Sequence, residues 1–194
     1  YSRIAGYIAG AAEGKKGNYM AFFPSYKMMQ EVYEYFLEQA GEIDAAIQSQ
    51  NMSEQERESF LSLFEKERDR SFVGFCVMGG IFSEGIDLTE DRLIGAIIVG
   101  TGLPQVCNDR EIVRRYFEDH GMAGFDYAYL YPGMNKVLQS AGRVIRTERD
   151  RGLILLLDDR FRQRQYRDIF PREWEGIRIC SAQSLPAYLE EFWK

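Results

Sequence analysis

The sequence predicts one α/β domain organised around a largely parallel sheet, and three observations predict it. Four runs of strand length, "YMAFF" (19–23), "SFVGFCVMGG" (71–80), "LIGAIIVGTGLP" (93–104) and "GLILLLDD" (152–159), are apolar at successive rather than alternate positions. Such strands are buried on both faces, the condition of a parallel sheet covered by helices. Segments with helical signals separate the runs, which is the alternation of an α/β fold. Finally, 194 residues with 45% hydrophobic and 14% aromatic content suffice for one sizeable core, so residues 1–194 read as a single domain.

Taken in order, residues 1–13 are patterned as a helix, and the Gly- and Lys-rich "EGKKGN" turns into the first strand, 19–23. Pro24 stops that strand and Ser25 is placed to cap a helix running to about Gln39. "SEQE" (53–56) is a capping box, in which a serine and a glutamate three residues on satisfy each other's backbone amides; it opens a helix to about Asp69. After the strands at 71–80 and 93–104, a helix is expected from Asp109 to His120 with Gly121 as its stop. The lone His120 reads as a charge complement to that helix's C-terminus. "QSAGRVIR" is expected on a helix feeding the strand 152–159; "IRICSA" (177–182) is a weaker strand and "SLPAYLEEFWK" a closing amphipathic helix.

The formal charge of −6 (24 Lys plus Arg against 30 Asp plus Glu) gives no global field of the kind that marks a basic nucleic-acid binder, although arginine recurs often between Arg143 and Arg178. Cys76, Cys107 and Cys180 are widely spaced and odd in number, against a disulfide framework or a zinc site and for a reducing compartment. No apolar run approaches membrane-span length and no signal peptide is visible. A start at Tyr1, inside a helical pattern, reads as a piece of something longer.

On a continuous helix Gln139, Arg143 and Arg146 would share one narrow face, with Leu138, Ala141, Val144 and Ile145 opposite. That polar face is either solvated or a phosphate clamp, since a guanidinium is a planar fork of permanently charged donors. "GGIFSEGIDL" is either a tight turn with Ser83 as a cap or a backbone that glycines let approach a phosphate chain. In "FPSYK", Ser25 is a plain helix cap or part of an anion site at a helix N-terminus. Ligands of parallel sheets gather beyond the carboxyl ends of the strands, where "PSYK", "GGIFSEGID" and "TGLPQ" fall; the glutamine–arginine helix delivers its side chains from the other end of its strand, and all are expected to face one cleft. "GAAEGKKG" (10–17) imitates a phosphate loop, but it has one residue too few between Gly10 and Gly14, lacks the Ser or Thr for magnesium, and precedes its strand. Asp158 and Asp159 come closest to an acidic metal-binding pair, and their context argues against that role.

In this order, "FFPSYK", "GGIFSEGIDL" and "QSAGRVIR" resemble motifs IV, V and VI of superfamily-2 helicases, specifically the DinG and XPD branch. "LIGAIIVGTGLPQ", "YPGMNKVLQSAGRVIRTERDRG" and "LLLDDRF" resemble that branch too, so the similarity spans nearly the whole chain. The resemblance implies a RecA-like three-layer α/β domain, a largely parallel central sheet flanked by helices, serving as the second motor domain of an ATP-dependent DNA helicase with 5′-to-3′ movement and a role in DNA repair. By similarity, Arg143 and Arg146 would be arginine fingers, with Gln139 orienting groups near the γ-phosphate. Glu84, Gly85 and Asp87 would couple nucleotide state to the strand; Ser83, Ser25 and Tyr26 would touch single-stranded DNA. ATP and Mg²⁺ would be held mainly by a first RecA-like domain absent from this chain, together with the iron–sulfur cluster that many members carry. That domain and single-stranded DNA are the implied partners, with no membrane, in a cytoplasmic or nucleoid-associated setting. Two other readings stay open: a nucleic-acid-binding or interaction module that kept the fold without the motor, and an unrelated doubly wound nucleotide-binding protein. The last would need a complete phosphate loop within the chain.

Overall fold

The structure is a computed structural model that describes residues 1–82, 93–144 and 151–194. Among these, five strands form one all-parallel sheet in the order β2-β3-β1-β4-β5: β1 Asn18–Phe23, β2 Asp44–Ile47, β3 Phe72–Val77, β4 Gly95–Val99 and β5 Leu153–Leu157. The α/β architecture read from the apolar runs is the one observed. β1 is central, and Tyr19 through Phe23 are each 0% exposed.

Strand periodicity sends alternate residues to two separate cores. Tyr19, Ala21, Phe23, Phe75, Ile97 and Val99 face α1 (Ser2–Gly14), α2 (Tyr26–Gln39) and the closing helix, here α7 (Leu185–Trp193). Met20, Phe22, Phe72, Cys76, Ala96 and Ile98 face α3 (Glu54–Ser62) and α5 (Tyr131–Ala141). Helices on both faces make the three layers. α4 (Asn108–Asp119) lies outside them and buries no residue, and α6 is the short helix Arg164–Arg167.

Local chemistry explains most of the boundaries. Ser25 caps α2 by accepting the Met28 amide at 3.3 Å, and the Ser53/Glu56 capping box forms in full at α3. His120 ends α4, its Nδ1 2.7 Å from the Tyr116 carbonyl oxygen, and Gly121 takes the left-handed conformation (φ 73°) that stops the helix. Cys76 and Cys180 carry thiols that burial pushes up, and none of the three cysteines is paired.

Four expectations are corrected. β2 was not anticipated. α3 ends at Ser62 rather than near Asp69, because the chain folds back at Leu63–Phe64 and the Arg68 guanidinium takes the Leu63 carbonyl. Residues 177–182 form no strand. The Ile177 amide closes a turn onto Trp174, and Arg178 is held to Glu191 of α7 at 2.7 and 3.1 Å instead of pairing along β5. Finally, α5 is entered through a π-helical turn, Asp126–Leu130, and ends before the arginines.

Phe75 is fully buried, its ring 5.6 Å from Phe23, 5.0 Å from Tyr33 and 5.1 Å from Phe36. Phe75→Ala should cost about 3–5 kcal/mol through lost contacts and the cavity left behind. Urea unfolding followed by circular dichroism measures it, and a loss below about 1 kcal/mol would show that the core closes over the gap.

Candidate nucleotide and nucleic-acid site

In an all-parallel sheet every carboxyl end falls on one edge. Here that edge carries Pro24–Ser25 after β1, Gln48 after β2, Met78–Gly79 after β3, Gly100–Thr101 after β4 and Asp158 after β5. Ser25 is exposed at the start of α2 with its Oγ on the Met28 amide, which is the cap geometry; its own proton is left to donate. Tyr26 follows, half-buried, and its hydroxyl receives a hydrogen bond from Gln48 Nε2 at 3.0 Å. Gln48 is 4% exposed and also accepts the Val77 amide at 2.9 Å, tying the end of β3 to the start of α2.

α5 starts on this edge. A Cβ on Gly133 would lie 2.8 Å from the Thr101 carbonyl oxygen, and one on Gly102 (φ 64°) 2.8 Å from the Gly133 carbonyl oxygen, so two glycines permit the contact. One turn along, the Lys136 methylenes cross the Gly79 turn, 3.1 Å from where a Cβ would stand. Gln48 and Lys136 were not found by reading the sequence. For Lys136 the signal was present: it sits on the glutamine–arginine helix, three residues before Gln139.

The far end of α5 holds the motif VI residues, with a geometry that differs from the expected single helical face. Gln139 is exposed on the last turn. The helix ends at Ala141 with Gly142 as its C-cap, and the amides of Arg143 and Val144 bond three residues back, at 3.4 and 3.2 Å. This tighter turn carries Arg143 further around the axis than an α-helical turn would. Arg143 is half-buried; Ala141 and Val144 are buried, as the apolar pattern required, together with Val137, whereas Leu138 is only half-buried. A Cβ on Gly152 would collide with Val144 and sit 3.3 Å from the Ile94 carbonyl oxygen, which places this end of α5 by the amino ends of β4 and β5. Thus Ser25 and Tyr26 lie on one rim of the sheet and Arg143 near the other, a strand length of roughly 17 Å apart. The expected single cleft is two rims joined by α5. Ser83, Glu84, Gly85, Asp87, Ile145 and Arg146 lie outside the described residues.

Asp158 and Asp159 part company. Asp159 is fully exposed at the start of a 3₁₀ turn, whereas Asp158 accepts the Arg160 amide and the guanidinium Nε and Nη2 at 2.8–2.9 Å. Burial pushes the Asp158 carboxyl up, but the hydrogen bonds and charge of Arg160 outweigh it and hold its pKa below the usual aspartate value. Among the described residues no group of three or more His, Cys, Asp or Glu side chains is placed to hold a metal ion, and no helix is long and apolar enough to cross a membrane. "GAAEGKKG" straddles the end of α1 and the turn before β1, the wrong side of its strand for a phosphate loop.

A doubly covered, all-parallel five-stranded sheet flanked by helices gives the class, a RecA-like α/β domain. The family follows: residues 8–176 match the model of the helicase C-terminal domain, and the chain belongs to that family. It is 31% identical over 158 residues to the regulator of telomere elongation helicase 1 homolog of Drosophila ananassae, covering 74% of this chain and 16% of that protein. It is 27% identical over 161 residues to the ATP-dependent DNA helicase YoaA of Haemophilus influenzae, covering 81% and 23%. The chain thus spans less than a quarter of the length of these relatives. An apo XPD structure superposes with a TM-score of 0.69 over 86% of this chain and 33% of its own, at 23% identity, a likeness of fold. The chain is thus a helicase C-terminal domain, similar in sequence to YoaA and in fold to XPD.

Because the Asp158 pKa is lower in the folded chain, its stabilisation is present above the unfolded value of about 3.9 and is lost as pH falls through the folded value. Asp158→Asn should cost on the order of 1 kcal/mol at pH 7, a figure discounted for the partly exposed Arg160. The deficit should shrink toward zero as pH falls through the folded value. Denaturant midpoints for both proteins across pH 2–7 test this; a deficit independent of pH would assign the loss to packing.

Proposed function

We propose that this chain is the second motor domain of an ATP-dependent DNA helicase, coupling ATP hydrolysis elsewhere in the motor to 5′-to-3′ movement on single-stranded DNA. The observation that carries the reading is the helicase C-terminal match over residues 8–176, which takes in all three motifs. The geometry supports a division of labour between the rims. At the carboxyl rim Ser25, Tyr26 and the backbone after β3 contact the strand through its phosphates and Lys136 adds a cation; Ser83 is a further contact by its place in motif V. Such contacts use hydroxyls, amides and a helix N-terminus, so an acidic domain can make them.

At the other end of α5, Gln139 and Arg143 meet the γ-phosphate of an ATP held on a first RecA-like domain, and Arg146 joins them there as a second arginine finger by its place in motif VI. Glu84, Gly85 and Asp87 relay its state to the strand. The described residues fit a nucleotide only as donors, an exposed amide and a half-buried guanidinium, without a glycine-rich phosphate cradle or acidic ligands for Mg²⁺. ATP and Mg²⁺ would therefore rest mainly on the first domain. An arginine finger stabilises charge that develops in the transition state, which requires the nucleotide to be positioned already.

Two outcomes follow. The 194-residue chain alone should show no single-strand-stimulated phosphate release, and such release from pure protein would contradict the reading. In a protein joining this chain to a nucleotide-cradling first domain, Arg146→Lys should lower kcat about 10³-fold or more, nearly as much as Arg146→Ala, with nucleotide affinity little changed. An ammonium keeps the charge but not the two-pronged bond. Near-normal turnover in the lysine variant would make this end of α5 a simple charge patch.

A further inference from the structure

Gln48 is a nearly buried amide whose two ends are both committed. The Val77 backbone N–H can only donate, so the atom it meets at 2.9 Å must be the Gln48 carbonyl oxygen. The amide's NH₂ then faces the Tyr26 hydroxyl at 3.0 Å, and an NH₂ group can only donate. The Tyr26 oxygen must therefore accept, and its proton must point away from Gln48. Tyr26 is the first residue of α2, next to Ser25 on the carboxyl rim, so the proton is left for an acceptor arriving at that rim.

We propose that Gln48 is a positioning residue of the strand-binding rim: it fixes Tyr26 as an outward hydrogen-bond donor to a phosphate oxygen of single-stranded nucleic acid. The inference rests on the reading of this rim as a strand-binding surface. Through the Val77 amide the same side chain ties that donor to the end of β3, where the motif V segment begins. Its neighbour on the other side is Gly80, where a Cβ would stand 3.8 Å from Gln48 Nε2. One amide thus joins α2, β2 and β3. Removing the amide frees the hydroxyl to rotate. Replacing it with a carboxylate reverses the bond, because a carboxylate accepts from both Val77 and Tyr26 and draws the tyrosine proton inward.

The test is a double-variant cycle on the 194-residue chain, with a fluorescent oligothymidylate as probe and anisotropy as the readout. Tyr26→Phe, Gln48→Glu and Gln48→Met should each weaken binding about five- to tenfold. Combining either Gln48 substitution with Tyr26→Phe should weaken it no further, since the hydroxyl they act through is gone. Equal losses from the Gln48 substitutions with and without the hydroxyl would overturn the proposal, because a packing defect or a repelling charge acts without Tyr26. No loss from Gln48→Met or from Tyr26→Phe would overturn it too. If Gln48→Glu fails to fold, the Gln48→Met cycle decides alone. An unsubstituted chain that binds no single strand overturns the strand-binding reading and this inference with it. A chain that binds but ignores Tyr26→Phe overturns this inference only.

Discussion

Burial of β1 on both faces is the constraint on which everything else rests. Tyr19 to Phe23 have no contact with water, so each strand flanking β1 must continue the hydrogen-bond ladder and each face must be roofed by helices. Parallel strands need long crossovers, and those crossovers are the helices that supply the roof. The same parallelism collects all the strand ends on one rim. The placement of Ser25, Gln48, Gly79 and Thr101 side by side, from four stretches far apart in the chain, is a by-product of how the core is closed.

How much of this was legible in the sequence depended on whether a signal was local. β1, β3, β4 and β5 announce themselves because a doubly buried strand is apolar at every position. The caps at Ser25 and Ser53 are equally local, a side chain bonding an amide three residues on. β2 is different: "DAAI" is short, lies at the sheet's edge and is only partly buried, and its existence is owed to pairing with β3. Gln48 was invisible for the same reason, since its partners stand 22 and 29 residues away. The end of α5 misled because heptad-like spacing presumes an uninterrupted helix, whereas Gly142 caps it and the next turn tightens. "IRIC" has a strand's composition, but Arg178 finds its partner in α7.

The charge balance becomes intelligible once the rim is resolved. A net charge of −6 governs the far field, whereas any contact made at the rim would be decided within a few ångströms by the hydroxyls and amides there. Some of the nearby carboxylates are already engaged. Asp158, at the same edge of the sheet, is neutralised by Arg160 and offers little repulsion to an approaching phosphate. Glu111 and Glu118 are occupied with Arg114 on α4.

The close approach of Gly102 and Gly133 has a mechanical consequence. The backbones of α5 and the β4 terminus meet without a side chain between them, so there is no compliant layer at that joint. From Gly133 α5 runs on to Ala141, about 12 Å, as a stiff rod past Gln139 to the turn bearing Arg143. A rod clamped at one end transmits a tilt with little loss. A tilt imposed where the β4 terminus meets Gly133 would be carried along α5 toward Gln139.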